Sequence, residues 1–244
     1  MNKKKFNLVG LNQSEIFDSL IDNQAISEKE KFRVKQIWHW IYFQGATQFS
    51  EMTTLSKALQ DKLTKYFTIQ RPVISDHQVS NDGTQKWLLE LDDKNLVEMV
   101  YIPEVSRGTL CVSSQVGCTL NCKFCFTGTQ KLVRNLTTEE ILSQLLIARD
   151  KLDDWPTNKH RKISNIVFMG MGEPLYNYQH VKDAVKIIGD KEGIQLSTKR
   201  ITLSTSGIVP KILEWGTDVD TRLAISLHAS NDKIRDEIVP INKK

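Results

Sequence analysis

The chain has 244 residues, with 33 Lys and Arg against 29 Asp and Glu, and 40% of its residues are hydrophobic. This composition is typical of a folded globular protein and excludes a disordered or fibrous one. No run approaches the roughly 18 apolar residues of a membrane span, and no apolar signal core follows the first residues. We therefore expect a cytoplasmic protein without a membrane segment.

The first 70 residues predict a small all-α domain. Ser14 is predicted to cap a first helix, and Ser27 with Glu30 forms a capping box ahead of a second. Gly45 is predicted to end that second helix, and apolar residues at four-residue spacing predict a third between about 55 and 67.

Residues 71–105 change to the two-residue period of strands and predict a β-hairpin extension. The predicted strands cover residues 73–79, 86–91 and 96–102. Turn residues at 81–83 and 92–95 separate them.

From residue 106 to 244, apolar strands alternate with amphipathic helices. Strands are predicted near residues 110–115, 163–169, 200–205 and 222–227, and helices near 137–152, 178–188, 210–215 and 232–239. Repeated βα units predict a parallel sheet, because each crossover helix covers a face of it. Four units are too few for a closed eight-unit barrel, so the predicted fold class is α/β with an incomplete parallel (β/α) barrel. Ligands are expected at the carboxyl ends of its strands.

The cysteines lie close together in a basic segment. Residues 106–136 contain all four cysteines and four basic residues, and no Asp or Glu. Cys118, Cys122 and Cys125 have C-x3-C-x2-C spacing directly after the first strand of the βα series. Three such thiolates can ligate three irons of an iron–sulfur cube and leave the fourth iron open. A zinc site with Cys111 as the fourth ligand and a disulfide framework are the alternatives.

Polar residues follow the other predicted parallel strands. Gly172 allows a ligand to approach the backbone closely, and Glu173 offers a carboxylate to a cationic amino group. Hydroxyl and imidazole groups end the third and fourth strands, at Ser204, Ser226 and His228. Taken singly, each of these residues also fits an ordinary turn or a structural polar group.

Six motifs together resemble the RlmN family of RNA adenine C2 methyltransferases, which belongs to the radical S-adenosylmethionine (radical SAM) superfamily. The motifs are residues 110–118, 134–136, 169–174, 204–207, 226–228 and 239–242, within a match from about 6 to 244. The resemblance implies that Cys118, Cys122 and Cys125 bind a [4Fe-4S] cluster. It also implies that S-adenosylmethionine is contacted by Gly172, Glu173, Ser204, Ser226, Leu227 and His228.

The reaction implied by the resemblance methylates C2 of adenosine in 23S ribosomal RNA and in transfer RNA. It uses a methyl-cysteine and a 5′-deoxyadenosyl radical. Glu98 would accept the ring proton, and Cys111 would release the product by forming a disulfide with the methyl-carrying cysteine. Without the resemblance, Glu98 is interpreted as an exposed strand carboxylate and Cys111 as a small buried hydrophobe.

The family's methyl-carrying cysteine would follow Lys244. We therefore expect a chain that is truncated at its C-terminus and inactive in methyl transfer by itself, and an unpaired edge after the fourth strand supports this expectation. The expected partners are ribosomal and transfer RNA and an electron donor such as flavodoxin, and the expected state is a monomer.

Two RNA-contacting regions are predicted. Residues 28–42 mix lysines with aromatic residues that could stack on bases, so residues 1–70 are expected to engage RNA; alternatively, the aromatics pack the helical core. The basic segment 106–136 is the second region. Two other functions stay open: a C8 adenine methyltransferase with the same machinery, and a zinc-stabilised RNA-binding module without enzymatic activity.

Overall fold

The computed structural model describes residues 5–158 and 160–243. Its helices are α1 (Gln13–Asp22), α2 (Phe32–His39), α3 (Lys57–Tyr66), α4 (Thr138–Lys151), α5 (Tyr178–Gly189), α6 (Val209–Asp218) and α7 (Asp232–Ile238). Its strands are β1 (Phe6–Asn7), β2 (Phe67–Thr68), β3 (Val73–Val79), β4 (Gln85–Glu90), β5 (Leu96–Glu104), β6 (Arg107–Cys111), β7 (Gln115–Val116), β8 (Arg134–Asn135), β9 (Asn165–Phe168), β10 (Ile201–Thr205) and β11 (Arg222–Ile225). None of the helices in these ranges is long and apolar enough to cross a bilayer.

The cap of α1 differs from the prediction. Asn12, not Ser14, is the capping residue, because its side chain accepts hydrogen bonds from the backbone N–H groups of Ser14 and Glu15. The Glu15 carboxylate accepts in return from the backbone N–H of Asn12. A complete capping box two residues earlier therefore begins the helix.

The second helix begins and ends close to where its sequence signals predict. Ser27 and Glu30 form the predicted capping box, although it caps a 3-10 turn ahead of α2. After His39, α2 continues as a π-helical turn over Trp40–Gln44, and Gly45 ends this turn with a φ of 81°. A side chain at position 45 would also collide with the ring of Trp155. Residues 5–70, which we call the helical unit, further contain a short parallel pairing of β1 with β2, which the sequence pattern did not predict.

A mixed sheet carries the rest of the fold, in the order β11-β10-β9-β6-β5-β4-β3. Strands β6, β9, β10 and β11 are parallel, whereas β3 to β6 form an antiparallel meander. The predicted α/β class, with an incomplete parallel barrel and a hairpin extension, is confirmed. The described residues do not form a closed barrel of eight βα units.

The first parallel strand ends earlier than predicted, at Cys111. Ser113 leaves the ladder because its backbone N–H donates to the Gln144 side chain on α4, at 2.8 Å. Its hydroxyl donates to the Glu98 carbonyl and accepts from the backbone N–H of Met171. The chain then pairs as β7 with β8, outside the main sheet.

The two faces of the sheet differ in burial. Leu110, Ile166 and Leu203 are completely buried within the core that includes α4 and α5. Register places Cys111 opposite Val167, and neighbouring residues across a ladder share a face. The alternate residues of the parallel strands therefore lie on the second face, which is only partly covered.

Candidate active site at the carboxyl ends of the parallel strands

The three spaced cysteines lie in one loop between β7 and β8, residues 117–133, which we call the cysteine loop. Gly117 begins it with a φ of 74°, and any side chain there would collide with the Lys131 carbonyl. The backbone N–H of Cys118 donates to the Gln130 carbonyl at 3.4 Å. The two ends of the loop are therefore held together. The three cysteines lie in the segment between these ends.

The thiols of the loop are partly buried. Cys122 packs with Leu120 and with Val239 and Ile241, which follow α7, and Cys118 and Cys125 contact this same apolar group. Burial raises the pKa of Cys118 and of Cys122. Iron or another cation would have to displace these protons, which is the usual requirement for thiolate ligands.

The three cysteines could each bind a different iron of an iron–sulfur cube, because they lie in one loop at C-x3-C-x2-C spacing. Among residues 5–158 and 160–243, no group of three His, Cys, Asp or Glu side chains is already arranged around a single point. All four cysteines are free thiols.

Glu173 lies beside the cysteine loop, at the end of β9. Its side chain is 3% exposed, and its carboxylate accepts from the backbone N–H groups of Ser206 at 2.8 Å and Leu175 at 3.2 Å. Burial raises the pKa of Glu173, and its charge contributes to the raised pKa of Cys118 and Cys122. The hydroxyls of Thr205 and Ser206 also donate hydrogen bonds to this carboxylate. A carboxylate has about four acceptor positions, so an amino group would replace one of these hydroxyls, which can rotate away.

The ends of β10 and β11 also reach the cysteine loop. Ser204 pairs with Ala224, and the backbone N–H of Ser226 donates to the Thr205 carbonyl at 2.9 Å. The His228 ring lies 4.0 Å from the Phe124 ring of the cysteine loop. Leu227, which lies between Ser226 and His228 in the sequence, is 65% exposed.

Arg235 on α7 holds these strand ends in place, a role that the sequence did not indicate. Its guanidinium donates to the carbonyls of Ser206 at 2.6 Å, Ser226 at 3.2 Å and Leu227 at 3.1 Å. These carbonyls follow two different strands. A single arginine in a short helix carries no signal for such a contact.

Glu98 and Cys111 lie on neighbouring strands, and their side chains share the partly covered face. Cys111 pairs with Val100, two residues along β5 from Glu98. The Glu98 carboxylate is exposed and lies 3.3 Å from the Lys86 ammonium group. Burial raises the pKa of the Cys111 thiol to about 11. The structure thus brings together a carboxylate and a protonated thiol on one surface.

The aromatic residues of the predicted RNA-contacting helix are largely buried. Trp38 is 2% exposed and donates to the Asp190 carboxylate, and Tyr42 is completely buried and accepts from the backbone N–H of Gly10. Neither ring is available to a base. The stacking prediction is therefore wrong for these two, and the packing alternative is correct.

A crevice of about 1490 Å³ lies away from the cysteines. It is lined by parts of the helical unit, by the turn between β4 and β5 and by α4 and α5, and it includes both acidic and basic side chains. None of the predicted site residues lines it.

Two known protein families match the chain. "Radical SAM superfamily" matches residues 112–243, and "Ribosomal RNA large subunit methyltransferase N-terminal domain" matches residues 6–69. The first match covers more than half of the chain. The chain therefore belongs to the radical SAM superfamily.

Individual relatives narrow this assignment. A crystal structure of a radical SAM methyltransferase from Sphaerobacter thermophilus matches with a TM-score of 0.88 and 36% identity, over 98% of this chain and 68% of that one. The "Dual-specificity RNA methyltransferase RlmN" of Bradyrhizobium diazoefficiens is 54% identical over 248 residues, which cover 98% of this chain and 62% of the relative. The protein of the same name from a strain of Rhodopseudomonas palustris is 52% identical over 247 residues, with 97% and 62% covered.

Within the superfamily, the chain belongs to the RlmN family, as its motifs predicted. It spans 62% of the length of the curated relatives described above. Membership of the superfamily implies a [4Fe-4S] cluster and S-adenosylmethionine.

Proposed function

We propose that this chain forms the cluster-binding and S-adenosylmethionine-binding part of an RNA methyltransferase that acts on C2 of adenosine in ribosomal and transfer RNA. One observation carries the proposal. Three spaced cysteines lie in a loop at the carboxyl end of the first parallel strand, and the buried Glu173 is joined to this loop by one side chain, because the Gln115 oxygen accepts from the N–H groups of both Glu173 and Thr119. The names of the relatives support RNA as the substrate.

Cys118, Cys122 and Cys125 would hold the cluster. When bound, the cluster would supply an electron to the sulfonium of S-adenosylmethionine. The apolar group around Cys122 would keep water from one side of the site. Phe124, beside the last cysteine, would cover another side together with His228.

Glu173 would bind the amino group of S-adenosylmethionine in place of the Thr205 or Ser206 hydroxyl. The two backbone N–H groups that it already accepts hold the carboxylate in one orientation. Gly172 would let the ligand approach the backbone, and Ser204, Ser226, Leu227 and His228 would contact the rest of it. Their position around the ends of β10 and β11 supports this assignment.

Glu98 would accept the proton that leaves C2, because its exposed carboxylate lies on the partly covered face of the sheet. Cys111 would be the thiol that forms the disulfide at product release. Its raised pKa keeps it protonated, so it would react only when a base is near.

The three parts of the chain would have different roles. Residues 1–70 would engage RNA, residues 71–105 would carry Glu98, and residues 106–244 would form the radical SAM partial barrel. We place the protein in the cytoplasm as a monomer, with an electron donor such as flavodoxin. The basic segment 106–136 supports contact with RNA phosphates.

Cluster binding tests the proposal directly. After anaerobic reconstitution, we expect about four irons and four sulfides in each chain of the wild type. Cys118→Ser, Cys122→Ser and Cys125→Ser should each lose the cluster, whereas Cys111→Ser should keep it. About one zinc without sulfide would instead support the zinc-stabilised module.

The target atom is tested in the organism of origin. Deleting the gene should remove 2-methyladenosine from ribosomal and transfer RNA, as measured by mass spectrometry of nucleosides. Loss of 8-methyladenosine would support the C8 alternative. Unchanged methyladenosines would contradict both functions.

A further inference from the structure

Gln115 lies completely buried on β7, between the strand of Cys111 and the cysteine loop. Its side-chain oxygen accepts from the backbone N–H groups of Glu173 at 2.9 Å and Thr119 at 3.4 Å. Its side-chain nitrogen donates to the Asn135 carbonyl oxygen at 2.8 Å and to the Thr119 hydroxyl at 3.1 Å. One carboxamide therefore joins the cysteine loop, the turn that carries Glu173, and β8.

The chemistry of the partners determines the orientation of this carboxamide. Backbone N–H groups can only donate, so the Gln115 oxygen has to face Glu173 and Thr119. Asn135 is oriented in turn, because its nitrogen donates to the Tyr176 carbonyl at 3.1 Å. Its oxygen is left to accept from Gln115.

The turn before Glu173 also packs directly on Gln115. The backbone N–H of Gln115 donates to the Met171 carbonyl at 3.2 Å. Gly172 has a φ of 97°, and a Cβ atom there would lie 2.5 Å from the Gln115 Cβ atom. The contact therefore requires glycine at position 172.

We propose that Gln115 is a positioning residue, which sets the separation between the cysteine loop and the Glu173 carboxylate. Thr119 directly follows Cys118, so a shift of the carboxamide would move a cysteine relative to Glu173. This inference rests on the proposed function, because that function requires the cysteines and Glu173 to hold two parts of one assembly. Only glutamine combines the necessary length with both a donor and an acceptor.

Gln115→Met tests the inference, since methionine has a similar length and cannot form these hydrogen bonds. Gln60→Met is the matched control, because Gln60 is also buried but donates only to the carbonyls of Met52 and Leu55 in the helical unit. In Gln115→Met, amide hydrogen exchange should become roughly tenfold faster in both segments, 117–122 and 171–175. In Gln60→Met, neither segment should change. Faster exchange in only one segment of Gln115→Met would overturn the inference.

Binding measurements provide the functional readout. With the cluster reconstituted, Gln115→Met should bind S-adenosylmethionine roughly tenfold more weakly than Gln60→Met. The change that S-adenosylmethionine causes in the electron paramagnetic resonance spectrum of the reduced cluster should also become smaller. Equal affinity and equal spectra in the two variants would overturn the inference.

Gln115→Glu covers the case in which Gln115→Met does not fold. Glutamate keeps the acceptor for both N–H groups but cannot donate to Asn135, so exchange in segments 117–122 and 171–175 should be severalfold faster than in the wild type. Wild-type rates in Gln115→Glu would contradict a role for the donor. A wild-type chain that bound no cluster would contradict the proposed function, while the exchange rates would still decide the role of Gln115.

Discussion

The contact between the helical unit and the partial barrel differs from the cysteine loop in how far its reactive and polar groups find partners within the chain. At that contact, the Arg71 guanidinium lies 2.8 Å from the Asp150 carboxylate and donates to the carbonyls of Ala46 and Gly45. The Trp155 indole N–H donates to the same carboxylate at 2.7 Å. Burial lowers the pKa of Arg71 and raises that of Asp150, and their pairing opposes both shifts.

Arg149 lies in the same buried contact, which we call the sealed contact because its charged groups are largely shielded from solvent. Its guanidinium lies 3.5 Å from the Trp155 ring centroid and donates to the Asp154 carbonyl and the Thr157 hydroxyl. The backbone N–H of Thr157 donates to the Phe43 carbonyl, in the helical unit. These polar groups are satisfied by other groups of the same chain.

The cysteine loop has a different character. Phe126 is 81% exposed and Val133 is 61% exposed, and the thiols of the loop are free. Buried charges that satisfy one another stabilise the fold, whereas thiols and apolar residues at strand ends are available to bind something else.

The largest effect is expected from breaking the sealed contact. Arg149→Met should lower the free energy of unfolding by about 3–5 kcal/mol, because the Asp154 carboxylate would stay buried without its cation. Urea unfolding measures the change. The control is Lys57→Met, whose ion pair with Asp61 is exposed on both sides, and which should cost under about 1 kcal/mol. Similar losses in the two variants would contradict the role assigned to burial.

A smaller effect is expected in the turn that carries Glu173, which packs on Gln115. Gly172→Ala should cost about 2–4 kcal/mol, because alanine is strained at a φ of 97° and would press on Gln115. Gly216→Ala provides the comparison, since nothing lies within 4 Å of its added Cβ atom on α6. There alanine should stabilise the protein by about 0.5–1 kcal/mol. Thermal unfolding should show the opposite signs, and equal signs would refute the argument.

The smallest effect concerns the reactivity of Cys111. Burial raises its pKa from 9.0 to about 11, so at pH 8 the folded protein should hold about 100-fold less thiolate at this site than the unfolded chain. Alkylation followed by peptide mass spectrometry should be slower by about that factor. The rate should keep rising until pH 11, whereas in urea it should level off near pH 9.

The raised pKa of Cys111 also makes the free energy of unfolding depend on pH. The folded state holds the Cys111 proton more tightly, so this group's contribution is complete below pH 9 and is lost as the pH rises to about 11. A folded-state alkylation rate that levels off near pH 9 would contradict both statements.

Local signals in the sequence predicted local structure well. The capping box predicted at Ser27 was found there, and the helix predicted near residues 137–152 begins at a box formed by Thr137 and Glu140, because a capping box involves only four consecutive residues. The cap at Ser14 was wrong for an equally local reason, since Asn12 with Glu15 offered a complete box. The spacing of the three cysteines likewise predicted a shared loop.

Contacts between residues far apart in the sequence were not predicted. β6 ends at Cys111 because Gln144, 31 residues beyond Ser113, takes the hydrogen bond that would continue the strand. Arg235 and Gln115 acquire their partners from several elements. No pattern of neighbouring residues encodes such partners.

Residue periodicity and short motifs were thus enough to predict the order of the longer helices and strands, the cysteine spacing and the family, whereas the two-residue strands β1, β2, β7 and β8 were not predicted. Tertiary structure alone decided which polar groups are satisfied, which aromatics are buried, and how Glu173 comes to lie beside Cys118 and Cys122. The physical reason is that hydrogen bonding and burial depend on which segments meet in space.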